Sequence, residues 1–203
     1  PRRPLSAPKN IQISKKSKHS LTLEKLYLKP IIKWDEKITN RWTVSENAAQ
    51  QRLDEFVLDE LQDYRDGRNF PDKANVSRLS PYLHFGQISP NTAWYRALDA
   101  SALIANEKSL DTFLSELGWR EFSYYLLYHF PHLPDKNLQP KFDAFPWPKT
   151  QDSILRLWKS GKTGYPLVDA GMRELYSTGY MHNRVRMVVG SFLVKNLLIH
   201  WHE

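Results

Sequence analysis

The chain contains no cysteine in 203 residues, which excludes disulfide scaffolds, thiolate metal sites and cysteine nucleophiles. It also lacks a long apolar run. The longest, over residues 185–199, is broken by Arg186, Lys195 and Asn196, well short of the roughly 18 apolar residues of a membrane span. No secretory signal is present, so no membrane partner is predicted and the cytoplasm is the predicted compartment. The pairs His129/His132 and His200/His202 lack metal-ligand spacing and a supporting carboxylate pattern, so no metal site is predicted. No Ser-His-Asp set, paired carboxylates, internal repeat or strand–helix alternation stands out.

What is there suffices for a core: 41% hydrophobic and 25% charged residues, in a length suited to one domain or one and part of another. The net charge of +7 is unevenly placed. Residues 1–45 hold 11 Lys/Arg against 3 Asp/Glu, whereas residues 46–203 hold 18 against 19. The body is therefore near neutral, and bulk charge alone does not identify a nucleic-acid partner. Residues 1–45, with several prolines and a KKSK cluster, read as a basic linker, either solvated or wrapped on the body. Trp34 and Trp42 predict that its second half docks on an apolar surface.

From Ser45 onward the pattern is helical. Leu53, Phe56, Val57, Leu61 and Tyr64 share one helical face. Ser80-Pro81 and Ser89-Pro90 each place a capping side chain before proline at a first helical position. Further helices are predicted over 90–105, 109–130, 151–160, 166–178 and 182–201, with a loop over 131–148. The fold class is all-α. The chain begins at Pro1, without an initiator methionine, and stops at Glu203 inside a helical pattern, so it reads as a piece of a longer protein.

Three clusters could carry chemistry. Tyr64, Arg68 and residues 76–80 surround a turn into a helix start, which suits either a phosphate cradle or an ordinary cap with surface arginines. Glu116 and Arg120 are four apart with Trp119 beside them, either an ion pair next to a core tryptophan or a platform for a planar ligand. In His182-Asn183-Arg184-Val185-Arg186-Met187, the two arginines are two apart. One could point outward to a phosphate and the other inward to a partner, while Asn183 could be a cap.

The segments SRLSPYLHFGQIS (77–89), FLSELGWREF (113–122) and the long stretch 158–201 resemble the photolyase/cryptochrome family in its flavin-binding helical domain. Order and spacing agree from about Tyr64 to the end. The resemblance implies domains at 1–45, a basic interdomain connector, and 46–203, the helical FAD-binding catalytic domain cut short at its C-terminus. It implies FAD as cofactor, and an antenna pigment (folate or deazaflavin) on an N-terminal α/β domain absent here. FAD contacts are expected from Tyr64, Val76, Ser77, Arg78, Leu79, Ser80, Phe113, Arg120, Asn183 and Arg186. Asn75-Val76 replaces the family's usual Gly-Thr, removing a hydroxyl, and Phe113 stands where many relatives have tryptophan. The carboxylate partner of Arg186 is expected beyond residue 203.

The resemblance further implies a flipped pyrimidine dimer in DNA as substrate, and a lyase reaction driven by an electron from light-excited reduced FAD. Glu116, Trp119, Asn183 and Met187 match the dimer pocket. Arg68 and Arg184 match arginines on flanking phosphates, and Arg120 is also expected among the DNA contacts. Trp201 matches the middle member and Trp147 the exposed member of an electron-transfer chain. Glu116, Trp119 and Met187 favour a class I, bacterial-type dimer-repair branch over plant-type cryptochromes, and the HNR sequence argues against the 6-4 branch. A light-signalling cryptochrome, or a cofactor-free helical nucleic-acid-binding module, are the alternatives. A monomer is expected.

Overall fold

A computed structural model describes residues 1–12, 19–103 and 106–203, so the whole KKSK cluster (15–18) and residues 104–105 of the predicted helix 90–105 lie outside the described residues. Helix α1 (Glu36–Thr39) is a single turn within the N-terminal segment. It is followed by α2 (Glu46–Glu55), α3 (Tyr64–Gly67), α4 (Ser80–His84), α5 (Pro90–Asp99), α6 (Glu107–His129), α7 (Asp152–Lys159), α8 (Pro166–Thr178) and α9 (Asn183–Ser191). No strand occurs among the described residues, and no helix is long and apolar enough to cross a membrane.

Local chemistry sets these boundaries. Ser45 caps α2 by accepting from the Ala48 N–H at 3.0 Å, and Ser89 caps α5 from Thr92 at 3.0 Å with Pro90 following. Ser80 does not cap as predicted. It is already the first residue of α4, and Leu79 precedes it without a side-chain cap. The predicted apolar stripe from Leu53 to Tyr64 is buried throughout, but the helix carrying it widens into a π turn at Phe56–Glu60 and tightens at Leu61–Asp63 before α3. The predicted helix 182–201 is shorter. It widens at Phe192–Asn196 and is broken where Leu198 adopts φ 52°, leaving Trp201 in a terminal turn.

The main core lies between α2, α3, α5 and the first half of α6, around Phe56, Leu61, Ala93, Phe113 and Leu117. A second cluster joins α8 and α9 through Val168, Met172, Met181, Val185 and Val189. The two helices approach closely because Gly171 has no side chain, and a Cβ there would overlap Val185 and press on Val189. Gly179 ends α8 in the left-handed region at φ 71°. Asp169 ties the preceding turn: its carboxylate accepts from the Thr163 N–H (2.7 Å), the Thr163 hydroxyl (2.6 Å) and the Gly164 N–H (2.9 Å).

Residues 1–45 are partly docked on the helices. The Trp42 indole donates to Thr178 O at 2.7 Å and its ring packs against Tyr82 and Tyr180. Trp34 remains 61% exposed, so only the later tryptophan behaves as predicted. At the other end, Asn91 donates to Arg2 O at 2.6 Å, and the Arg3 guanidinium lies 4.8 Å over the Tyr95 ring.

Candidate functional site

Residues 75–80 connect α3 to α4 and form the floor of the candidate site. Arg78 adopts φ 52°, in the left-handed region, and Leu79 follows at φ −81°, ψ −9°. Successive residues of opposite hand turn their N–H groups toward one point, a nest suited to an anion. The N–H groups of Arg78 and Ser80 find no acceptor among the described residues, while that of Leu79 leans on Ser77 Oγ at 3.4 Å. A left-handed arginine is strained, so this turn must be held by its surroundings.

Two adjoining cavities open above the turn. One, of about 330 Å³, is lined by Tyr64, Arg68, residues 76–80, Glu116, Tyr180, Met181, Asn183 and Arg186. The other, of about 420 Å³, shares Tyr64, Ser77, Ser80 and Glu116 and adds Leu83, His84, Phe113, Leu117, Arg120, Ser123 and Tyr124. All ten residues expected to contact a flavin nucleotide therefore line one of these two connected hollows. Phe113 contributes from below. It is 3% exposed and packs on Phe56 and Tyr64 at centroid distances of 4.8 and 5.6 Å.

Charges inside the hollow are paired differently from the sequence pattern. Glu116 does not pair with Arg120 along α6. It accepts from Arg68 Nη1 at 2.5 Å, and Arg120 pairs with Glu121 at 2.6 Å and reaches Leu83 O and the Tyr124 hydroxyl at 3.4 Å. Arg68, expected to grip a flanking phosphate, has a side chain that is 13% exposed and also lies 5.2 Å over the Tyr64 ring. The physical reason is reach: the short α3 places Arg68 against the middle of α6, where Glu116 is the nearest carboxylate. Burial pushes the Tyr64 phenol up to about 12; Glu116 adds to this and Arg68 opposes it. The phenol is thus a hydrogen-bond donor throughout the physiological range.

The start of α9 forms the far wall. Asn183 is its first residue rather than its cap; His182 Nδ1 accepts the Arg184 N–H at 3.2 Å. His182 is 4% exposed, its Nε2 has no partner among the described residues, and desolvation lowers its pKa despite Glu174, with Arg184, Arg68 and Arg78 adding to the lowering. Arg186 lines the hollow and has no ion-pair partner among the described residues. Arg184 points out and is gripped by Asn69 Oδ1 at 2.6 and 2.9 Å, with Met187 Sδ at 3.6 Å.

Trp119 and Met187 stand outside the residues lining the two hollows, 62% and 57% exposed. Trp119 contacts Phe122 edge-on at 5.8 Å and begins an exposed aromatic row on the second half of α6. Trp147 and Trp201 both pack on His200, at 5.0 and 5.5 Å. Their exposure runs opposite to expectation: Trp147 is half-buried between Phe145 and His200, while Trp201, in the terminal turn, is 40% exposed.

Sequence reasoning missed Arg52, Asn69 and Tyr180, and quoted Asn75 and His182 without giving either a role. Tyr180 lines the first hollow and lies 5.4 Å beneath the Arg78 guanidinium. The remaining four act by holding loops or helix ends, and no local motif marks such partners.

The donor set fits FAD. Free N–H groups, the Ser77 and Ser80 hydroxyls and the unpaired Arg186 suit a pyrophosphate, and the walls of Tyr64, Phe113, Leu83 and Leu117 suit planar rings. Residues 113–203 match a family model described as the FAD binding domain of DNA photolyase. The chain belongs to the photolyase/cryptochrome family. Its similarity to the deoxyribodipyrimidine photo-lyase of Agrobacterium fabrum is 43% identity over 206 residues, covering 100% of this chain and 42% of that relative. Cryptochrome-2 of Arabidopsis thaliana is 41% identical over 170 residues, covering 81% of this chain and 28% of that relative. A bacterial class III photolyase structure from Agrobacterium tumefaciens superposes with TM-score 0.83 at 44% identity, over 98% of this chain and 40% of that chain. The chain thus spans less than half the length of these photolyase/cryptochrome relatives.

Proposed function

We propose that this chain is the FAD-holding part of a photolyase that reverses cyclobutane pyrimidine dimers in DNA. The observation that carries this is the common hollow: Tyr64, Ser77, Ser80, Glu116, Arg120 and Asn183, spread over 120 positions of sequence, converge on two connected cavities. Residues 76–80 and Arg186 would hold the phosphates, and Tyr64, Phe113, Arg120 and Asn183 the rings and the ribityl chain. When bound, reduced and excited by light, FAD supplies the electron that opens the dimer.

This chain's own residues then bind and orient. Glu116 and Asn183 offer hydrogen-bonding groups to the flipped bases, Trp119 a stacking wall and Met187 an adaptable apolar floor. Arg184, exposed and fixed by Asn69, grips a flanking phosphate. Such contacts place DNA without reading its sequence. Trp147 and Trp201, bridged by His200, serve electron supply. The likeness to the Agrobacterium structure, which extends through the connector, supports a class III assignment over the class I branch expected from sequence. We also assign residues 1–45 as the interdomain connector, a folate or deazaflavin antenna to a portion outside this chain, and a monomeric cytoplasmic state to the protein.

Light-dependent reversal of dimers in a defined oligonucleotide by the full-length gene product tests the proposal. Flavin absorbance without dimer reversal would assign the protein to the signalling cryptochromes. A colourless protein that binds DNA would leave a cofactor-free helical module.

A further inference from the structure

The phosphate cradle has a back as well as a front. From α2, Arg52 Nε donates to Ser77 O at 3.0 Å and Nη2 to Val76 O at 3.1 Å. The same guanidinium meets Glu60 at 2.6 Å and Glu55 at 3.3 Å, and its side chain is only 21% exposed. A rigid planar fork held by two carboxylates and two carbonyls has little freedom to swing. All peptide bonds here are trans, and in a trans peptide the N–H points opposite to the C=O. Fixing the carbonyls of Val76 and Ser77 toward Arg52 therefore turns the N–H groups of Ser77 and Arg78 away from Arg52, and both residues line the hollow from which Arg52 is absent.

We propose that Arg52 is a positioning residue for the phosphate-bearing part of the cofactor, aiming the N–H groups of the 76–80 turn into the cavity by holding the carbonyls behind them. Arg52 is not among the residues lining either flavin hollow and acts through the loop. Asn75 supports the same clamp. Its amide donates to Glu60 O at 3.5 Å, and its side chain sits so close over Gly67 that a Cβ there would lie 2.5 Å away. Asn75 belongs to the Asn75-Val76 departure from the family pattern, so where Val76 loses a hydroxyl its neighbour gains a side-chain clip. Arg52 also explains how a non-glycine residue is kept at φ 52°: the peptide preceding Arg78 is pinned from behind.

The inference rests on the flavin reading above, and two ligands separate the two. Arg52→Met and Arg52→Lys are made in the full-length protein, and folding is checked by circular dichroism and Tm. FAD and riboflavin, which has no phosphate, are titrated by fluorescence. Loss of charge-assisted bonds that orient the cradle should raise the FAD Kd of Arg52→Met on the order of 10- to 100-fold, with riboflavin changed by less than about threefold. Arg52→Lys, whose single ammonium reaches one carbonyl at a time, should fall between wild type and Arg52→Met for FAD and match wild type for riboflavin. If Arg52→Met does not fold, the lysine variant alone decides by the same contrast. Equal weakening of both ligands, or an unchanged FAD Kd, would overturn the positioning role. A wild-type protein that binds neither ligand would overturn the flavin reading and this inference with it.

Discussion

Arg68 and Glu116, 48 positions apart, meet at 2.5 Å in the wall between two cavities. The pair joins the short α3 to the middle of α6 and sets the electrostatics around Tyr64. Breaking one side strands the other: Glu116→Ala should lower stability by about 1–3 kcal/mol, since Arg68 would lose a charged partner in a half-buried setting. Arg68→Met combined with Glu116→Ala should recover part of that loss, which denaturant titration of the four proteins in a double-mutant cycle will show.

Trp119 is exposed and packs on little besides Phe122. Trp119→Ala should therefore leave Tm nearly unchanged while weakening binding to dimer-containing DNA by about 1–3 kcal/mol, the range of base–aromatic stacking. Binding to undamaged duplex should change far less. Equal loss on both DNAs in a fluorescence anisotropy assay would remove the stacking role.

Arg184 is held outward by Asn69. Arg184→Ala should weaken damaged and undamaged DNA alike, and the slope of log K against log salt should become shallower by about one. Asn69→Ala should give a weaker version of the same effect, because it frees the guanidinium without removing it.

His182 is buried, caps α9 through a neutral Nδ1 and has a lowered pKa, chiefly from desolvation. The unfolded chain then binds the proton more readily than the folded one, so stability is complete above the ordinary histidine pKa, about 6.5, and falls as pH drops below it. Thermal melts from pH 8 to 5 should show this decline. His182→Asn, which keeps a capping acceptor without the titration, should flatten it.

Gly171→Ala places a methyl against Val185 and Val189 at the crossing of α8 and α9. Overpacking of this kind costs about 1–3 kcal/mol. The consequence should reach Asn183 and Arg186, both on α9, so weaker flavin retention should accompany the lower Tm.

The helix starts and stops were readable because their signals are local: Ser45, Ser89-Pro90, Pro131 and Gly179 each act within a turn of their own position. The residues lining the two hollows were readable through the family motifs that contain them. Glu116's partner was not, because an i,i+4 spacing suggests Arg120, whereas the arrangement of α3 against α6 brings Arg68 closer. Arg52 was hidden for a similar reason. Its acceptors are backbone carbonyls 24 and 25 positions away, and carbonyls leave no trace in a sequence. The end of the last helix was overestimated because its apolar pattern continues past the widened turn at Phe192–Asn196.

The π turn at Phe56–Glu60 makes spacing as important as residue identity between Arg52 and Tyr64. Deleting one position there would rotate all that follows by about 100° about the helix axis, swinging Tyr64 off the hollow and Glu60 off Arg52 together. Leu58, 58% exposed in that turn, can change its chemistry freely, yet its presence keeps the phase between the clamp and the phenol.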